Sequence, residues 1–443
     1  MKLKSRFAPS PTGLLHIGNA RSAVINWAHI RSIGGEFILR IDDTDFERSK
    51  KEYQESIKND LNWLGINWSK AFNQSDRMEV YQRDIEKLKK IKRIYPCFET
   101  PEELSLKRKN QLAAGKPPIY DRSSLQMDQE KIKEYIGKGK NPHWRFKLED
   151  KIIKWEDLIK GSVSFDSKNL SDPILIREDN SLLYHLPSVI DDIEESITDV
   201  IRGEDHITNT ALHIQIFEAL NATVPSFGHH PFLKDEKGKG LGKRLGSLSI
   251  KSLKDKGFEN ITLLNYLLSV GTSSNISKEK NLDNLYKSFN INYLAKSSPK
   301  FSIKVLENLN KEILQSYEFS EIKQKFHDQK LLKASNDFWI FAKNNINYFS
   351  DVSYWWNIIN NEEIYSTTDQ NYLNIASKLL PDDPFDITTW KKWTSKINLQ
   401  TNRSGKELYM PLRLALTGQK KGPELKFLMP LLNKKQVLKK LRS

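Results

Sequence analysis

The residues best suited to chemistry lie near the amino end, in Arg6-Phe7-Ala8-Pro9-Ser10-Pro11-Thr12-Gly13-Leu14-Leu15-His16-Ile17-Gly18-Asn19. Two prolines and a glycine fix a loop, and His16 and Gly18 stand where a helix begins. Backbone N–H groups at a helix start, with the positive end of the dipole, favour phosphate. Gly18 permits close approach by a ligand, and His16 beside it can donate to a phosphate oxygen. Taken alone, His-x-Gly at a helix start is an ordinary cap, so the argument rests on the complete string. A second segment, Gly240-Leu241-Gly242-Lys243-Arg244, places a lysine in a glycine-rich loop. Read by itself it is a flexible surface loop. It is not a Walker A motif, because Gly-x-x-x-x-Gly-Lys fails at Lys237. The step from Gly240 to Gly246 is not a dinucleotide fingerprint either.

These residues need elements to position them. Ala20, Ala23, Val24, Trp27 and Ala28 recur on one helical face after the proline loop, and Gly34-Gly35 ends that helix. Phe37 to Ile41 reads as a strand ending at Asp42-Asp43. Strand, helix and strand in this length form the unit of a parallel α/β sheet. Ligands in such sheets bind at the carboxyl ends of the strands, where the proline loop and Asp42 both fall. Helices are expected over 48–65 and 77–94. Short mixed segments and Gly115-Lys116-Pro117-Pro118 mark 98–180 as an insertion. Residues 183–220 return to strand and helix patterns. Beyond about 300 the chain reads as helical, with an amphipathic stretch from Phe301 to Leu314 and a basic last helix from Lys434 to Arg442.

Composition narrows the classes. The chain has 443 residues, 38% apolar, with ten Trp, so several domains with real cores are expected. Its net charge of +14 favours a polyanionic partner. The single cysteine, Cys97, rules out an internal disulfide and any zinc site needing two thiolates. The charged start Met1-Lys2-Leu3-Lys4-Ser5-Arg6 is followed by no apolar run, so no signal peptide is expected. No stretch approaches the roughly 20 apolar residues needed to cross a bilayer. A soluble cytoplasmic protein is the expectation.

The proline-rich string closely resembles the first signature of class I aminoacyl-tRNA synthetases, in the form used by glutamyl and glutaminyl enzymes. Asn19 stands where the class often has His, a variation common in glutamyl enzymes. Arg40-Ile41-Asp42-Asp43-Thr44-Asp45 resembles the family's acidic strand end, with Asp42 where Glu is more usual. Tyr184-His185-Leu186, Asp191-Asp192 and the run from Thr198 to His206 are similar to its substrate-pocket segments. Met410-Pro411-Leu412-Arg413 and Ala415-Leu416-Thr417-Gly418 resemble the end of the bacterial-type helical anticodon domain. The loop with Lys243 resembles the second class signature, Lys-Leu-Ser-Lys-Arg. Its second lysine is kept, while Gly240 and Gly242 replace the first lysine and the serine, which puts loop closure and rate in question.

The resemblance implies a Rossmann-type parallel-sheet catalytic domain (1–97 and 183–250) with an inserted acceptor-stem-binding domain (98–182). A helical stem-contact domain (251–320) and an all-α anticodon-binding domain (321–443) would follow. It implies that ATP contacts Pro9, Ser10, Pro11, Thr12, Gly13, His16, Gly18 and Asn19, then Gly240, Leu241, Gly242, Lys243 and Arg244. His16 and Lys243 would be the catalytic pair. Glutamate would meet Arg6, Ala8, Ser10, Asp42, Tyr184 and Arg202, with the arginines and Tyr184 at its carboxylates and Ser10 and Asp42 near its amino end. An arginine fork fits a carboxylate in two parallel hydrogen bonds, which the amide of glutamine cannot match. Charged hydrogen bonds contribute roughly 1.5–3 kcal/mol each, so glutamine would be rejected by very roughly 10- to 10⁴-fold.

By the same resemblance Mg²⁺ accompanies ATP, tRNA is the partner, and a monomer is expected. Activation of the amino acid would require tRNA. Some family members hold zinc in the insertion through Cys-x-Cys, but Cys97-Phe98-Glu99 offers one thiol, so no zinc is expected. A glutaminyl enzyme usually carries a β-barrel anticodon region, against the helical reading after 300. A tRNA-modifying paralogue lacks an anticodon domain altogether. The altered Gly240 and Gly242 keep a non-catalytic tRNA-binding protein as the contrasting alternative.

Overall fold

In a computed structural model of the protein, which describes residues 2–241, 248–273, 275–360 and 369–442, the amino-terminal string enters a parallel sheet. Strand β1 (Lys4–Phe7) leads through the proline loop into helix α1 (Ile17–Ser32), and β2 (Glu36–Ile41) follows. Ala20, Ala23, Val24, Trp27 and Ala28 are all buried, which is why this face packs on the sheet. Asn26, in the same face, accepts from the Ser5 hydroxyl at 2.6 Å and donates to the Ile201 carbonyl at 2.8 Å. The helix ends where Gly34 takes φ +72°. A Cβ on Gly35 would lie 2.7 Å from the Leu3 carbonyl oxygen, so only glycine lets the chain turn back onto β1.

Helix α2 (Lys51–Trp63), β3 (Lys70–Asn73), α3 (Met78–Lys90) and β4 (Ile94–Cys97) come next. The two helices are shorter than their apolar patterns predict. A 3-10 turn at Gln74–Arg77 precedes α3, and the residues after its end form β4. The stretch expected as an insertion contains α4 (Pro101–Ala113), α5 (Gln129–Gly137), β5 (His143–Phe146), β6 (Ile152–Asp157), β7 (Gly161–Asp166) and β8 (Ile174–Ile176). Then follow α6 (His185–Glu194), β9 (Asp199–Gly203), α7 (Ile207–Ala219) and β10 (Ser226–His230).

The larger sheet has the order β3-β2-β1-β9-β10-β6-β7. Its pairings are parallel except for the β6–β7 hairpin. Residues 152–166 therefore extend the larger sheet, while β4, β5 and β8 make a separate three-stranded antiparallel sheet. The carboxyl ends of β1, β2, β9 and β10 feed the loops after Phe7, Ile41, Gly203 and His230. Helices α8 (Ile250–Lys256), α9 (Asn260–Ser269) and α10 (Leu282–Ser288) follow.

The chain forms two compact units, one from its start to Leu253 with Leu263–Ser302, the other from Lys254–Thr262 with Ile303 onward. The second unit is helical among the described residues, from Ile303–Ser316 to Lys434–Leu441, as the amphipathic patterns predict. Its core is heavily aromatic, with Phe326, Trp339, Phe349 and Trp393 buried together with Leu412 and Leu416. Full burial of such side chains contributes roughly 1.5–3 kcal/mol each. No helix among the described residues is long and apolar enough to cross a membrane.

Candidate active site

The loops after β1, β2, β9 and β10 enclose a cleft of about 630 Å³, within the range of small-molecule sites. From the first loop and α1 it is lined by Arg6, Ala8, Pro9, Ser10, Thr12, His16, Gly18 and Asn19. Asp42, Tyr184 and Arg202 line it from other elements, and Gly240 and Leu241 enter from the loop after β10. Pro11 and Gly13 are not among its walls. Pro11 is buried, and its carbonyl accepts from the Lys50 amide at 3.0 Å. The Pro9 carbonyl similarly accepts from the Asp42 amide at 3.0 Å. These prolines tie the first loop to the loop after β2. Gly242, Lys243 and Arg244 lie outside the described residues.

His16 is both a cap and a free donor. Its Nδ1 accepts from the Gly18 amide at 3.0 Å, which leaves the proton on Nε2. That Nε2 is covered and has no hydrogen-bond partner. Burial lowers the pKa of the ring, so it stays neutral with one N–H to offer.

Arg202 is buried, and its partners are neutral. Nη1 donates to the Tyr184 hydroxyl at 2.8 Å and Nη2 to Thr210 Oγ1 at 2.7 Å. It has no ion pair with a carboxylate among the described residues. Burial pushes its pKa down, as expected for a cation without an anion to compensate it. Tyr184 accepts from Arg202 and keeps its own O–H to give.

Arg6 behaves differently. Its Nε and Nη2 donate to the two oxygens of Asp192, at 3.0 and 3.3 Å, with both side chains buried. Asp192 also accepts from Arg40 Nη1 at 2.9 Å. Arg40 in turn grips Asp42 through Nε at 2.7 Å and Nη2 at 3.1 Å. Burial pushes the Asp42 carboxyl up to about 6 against the pull of Arg40. A substrate ammonium beside it would lower that value. Asp191 anchors the back of the network, accepting from Arg77 at 2.7 Å, Gln74 at 2.8 Å and Tyr81 at 2.9 Å.

Several wall residues fall outside the motifs singled out in the sequence, among them Ser22, His230 and Phe232. Phe232 follows the end of β10 and His230 closes that strand, whereas Ser22 lies within α1, where no sequence signal marks it. In the insertion, Cys97, Glu99 and His143 bring one donor atom each within 4.8 Å of one another. The thiol count overlooked His143, which β4–β5 pairing sets opposite Cys97. Its Nε2 is buried without a partner. Glu99 already accepts from the hydroxyls of Tyr120 at 2.7 Å, Ser124 at 2.9 Å and Ser123 at 3.0 Å.

Comparisons with known proteins agree with this arrangement. Residues 2–308 match the family model for the catalytic domain of class I tRNA synthetases (E and Q), and residues 344–443 match an anticodon binding domain. Glutamate–tRNA ligase 2 of Rickettsia canadensis is 45% identical over 445 residues, covering 99% of each chain. Its counterpart in Beijerinckia indica is 47% identical, over 97% of this chain and 96% of that one. The crystal structure of a glutamate tRNA ligase from Elizabethkingia meningosepticum is similar with a TM-score of 0.88 and 26% identity, covering 100% of this chain and 98% of that one. With a catalytic-domain match across most of its length and full-length relatives well above 40% identity, the chain belongs to the glutamate–tRNA ligase family of class I aminoacyl-tRNA synthetases.

Proposed function

We propose that the cleft activates L-glutamate with ATP and transfers it to the 3′-terminal adenosine of tRNA through a glutamyl-adenylate. The carrying observation is Arg202, a buried cation with only neutral partners, in one cleft with the free N–H of His16. Leaving a cation desolvated is costly unless an anion completes the site. A substrate carboxylate seated against Arg202 Nη1 and the Tyr184 hydroxyl supplies that anion. The other groups of glutamate fall toward Arg6 Nη1, Ser10, Ala8 and Asp42.

In the first step the glutamate α-carboxylate attacks the α-phosphorus of ATP, a new O–P bond forms, and pyrophosphate leaves. The nucleophile is already ionised, so no strong base is needed. Positioning and cations where phosphate charge develops carry the catalysis. His16 donates an Nε2–H hydrogen bond to a phosphate oxygen, and Lys243, two residues after Leu241 in sequence, supplies a cation to the phosphates. Thr12, Gly18 and Asn19 line the nucleotide side. Pro11 and Gly13 shape the loop that carries these residues to ATP. In the second step the 2′-hydroxyl of the terminal adenosine attacks the carbonyl carbon, the C–O bond to AMP breaks, and AMP leaves with the electron pair. Mg²⁺ accompanies the ATP phosphates, as it usually does where a protein offers no dedicated cage. Asp42, held by Arg40, is not free for one.

We assign residues 1–97 and 183–250 to catalysis together with the hairpin 152–166 that joins their sheet, the rest of 98–182 to the acceptor stem, 251–320 to the stem and 321–443 to the anticodon. The anticodon-domain match over 344–443 supports the last of these. No zinc is proposed at Cys97. Burial pushes its thiol up to about 11, and Glu99 is engaged by hydroxyls. The enzyme acts in the cytoplasm as a monomer and activates glutamate only with tRNA bound. Charging purified glutamate and glutamine tRNAs separately with labelled glutamate tests the assignment. Glutamylation of glutamate tRNA is expected, and absence of product on both rejects the reading. Brisk ATP–pyrophosphate exchange without RNA removes the tRNA requirement.

A further inference from the structure

The orientation of Arg202 is traceable to the far edge of the sheet. Strand β6 pairs with β10 so that Asp157 lies beside Phe227, two residues before His229. The Asp157 carboxylate is fully enclosed. Its Oδ1 accepts from the backbone amides of Lys160 at 2.9 Å and of Ile159 and His229 at 3.0 Å. Its Oδ2 accepts from His229 Nδ1 and, at 3.3 Å, from Trp155 Nε1. On the other side of the imidazole, Nε2 lies 2.8 Å from Thr210 Oγ1 and 3.5 Å from Arg202 Nε. Thr210 Oγ1 is the atom that accepts from Arg202 Nη2.

The protons in this chain have one consistent arrangement. Burial alone would raise Asp157, but the hydrogen bonds from His229 and the backbone hold it at about 2, so it is ionised. Burial lowers His229, so the ring is neutral and carries a single proton. The carboxylate draws that proton to Nδ1, leaving a lone pair on Nε2. The Thr210 hydroxyl then donates to Nε2 and presents its own lone pair to Arg202. With the other tautomer, an Nε2–H would face the N–H of Arg202, and the Thr210 hydroxyl would be left with the more distant His206 carbonyl, 3.3 Å away. An aspartate behind the ring excludes that arrangement, the logic by which a carboxylate fixes the tautomer of a working histidine.

We propose that Asp157, His229 and Thr210 form a positioning chain that holds Arg202 with its Nη1 end at the cleft wall while keeping the counter-charge one imidazole and one hydroxyl away. A carboxylate placed directly on Arg202 would neutralise it, as Asp192 does for Arg6. The relay orients the guanidinium without taking the charge meant for the substrate. These are positioning residues that act on glutamate through Arg202, and the inference rests on the glutamate reading above.

The test is ATP–pyrophosphate exchange on the full chain with tRNA present, determining KM for glutamate and for ATP separately. Asp157→Asn and His229→Leu should raise the glutamate KM about 10- to 100-fold, the loss of one charged hydrogen bond, and leave the ATP KM within about twofold. His229→Gln, which keeps an acceptor near the Nε2 position, should fall much closer to the parent enzyme than His229→Leu. Thermal melts and RNA binding identify any variant that fails to fold, and His229→Gln against His229→Leu then decides the matter. Equal rises in both KM values, an unchanged glutamate KM, or identical behaviour of Gln and Leu at 229 would overturn the proposal. Arg202→Ala is measured alongside. If it leaves the glutamate KM unchanged, the reading of the cleft itself fails. If it raises that KM and Asp157→Asn does not, only the positioning chain fails.

Discussion

Arg6 donates from Nε and Nη2 to both oxygens of Asp192, which leaves Nη1 as the one end of its guanidinium not engaged there. Asp192 is also held by Arg40, so one carboxylate fixes two buried arginines at the cleft wall. Removing it strands Arg6 in a dry site and leaves Arg40 with Asp42. Asp192→Ala should destabilise the amino-terminal unit by about 3–5 kcal/mol, the range for breaking a buried pair from one side. Urea unfolding followed by fluorescence measures this, and a loss under about 1 kcal/mol would show that water reaches the network.

Tyr184 and Arg202 meet at 2.8 Å, with the tyrosine accepting. Tyr184→Phe removes that acceptor and the hydroxyl proposed to reach the substrate carboxylate. The glutamate KM should rise about tenfold while the ATP KM holds, since one hydrogen bond to a charged group is lost. An equal rise in both would place Tyr184 outside the glutamate side of the cleft.

In sequence, Lys243 follows two residues after Leu241, which with Gly240 lines the cleft. Lys243→Ala should depress pyrophosphate exchange far more than it weakens tRNA binding in a filter assay, because its charge serves the phosphates. Parallel losses in the two assays would refute that role.

The histidines around the cleft predict a pH response. Burial holds His185 and His206 down to about 4 and His230 to about 3, and lowers His213 well below its ordinary value. An unfolded histidine takes a proton near pH 6.5. Between about pH 6.5 and 4 the unfolded chain therefore binds protons that the folded one refuses, and stability falls as pH falls. The carboxylates held at about 2, Asp157 and Glu99, add a further loss only below their unfolded values near 4. Melting temperature should decline steadily from pH 7 to 4. A flat profile across that window would mean these rings are hydrated.

A net charge of +14 and a polyanionic partner make binding sensitive to salt. If about 6–10 phosphates are contacted, tRNA affinity should drop by about 10³–10⁵ between 50 and 200 mM salt. A shallow slope in a salt titration would argue for a small interface.

What the sequence determined by itself is local and contiguous. The proline loop, the start of α1, the ends of β1 and β2 and the amphipathic helices after 300 depend on neighbours in the chain, so motif and period reveal them. Pro11 and Gly13 belong to that string, yet they are not among the cleft walls. Partnerships across long separations emerge only once the chain is folded. His229 finds Asp157 from 72 residues away because β6 joins the sheet beside β10, and His143 faces Cys97 through strand register. The division of labour between the two arginines is of the same kind: Arg6 and Arg202 are equal as residue types, but folding gives one a carboxylate and the other a hydroxyl and an imidazole. Side-chain chemistry sets what each can do, and only the packed sheet determines which charge is left over for a ligand.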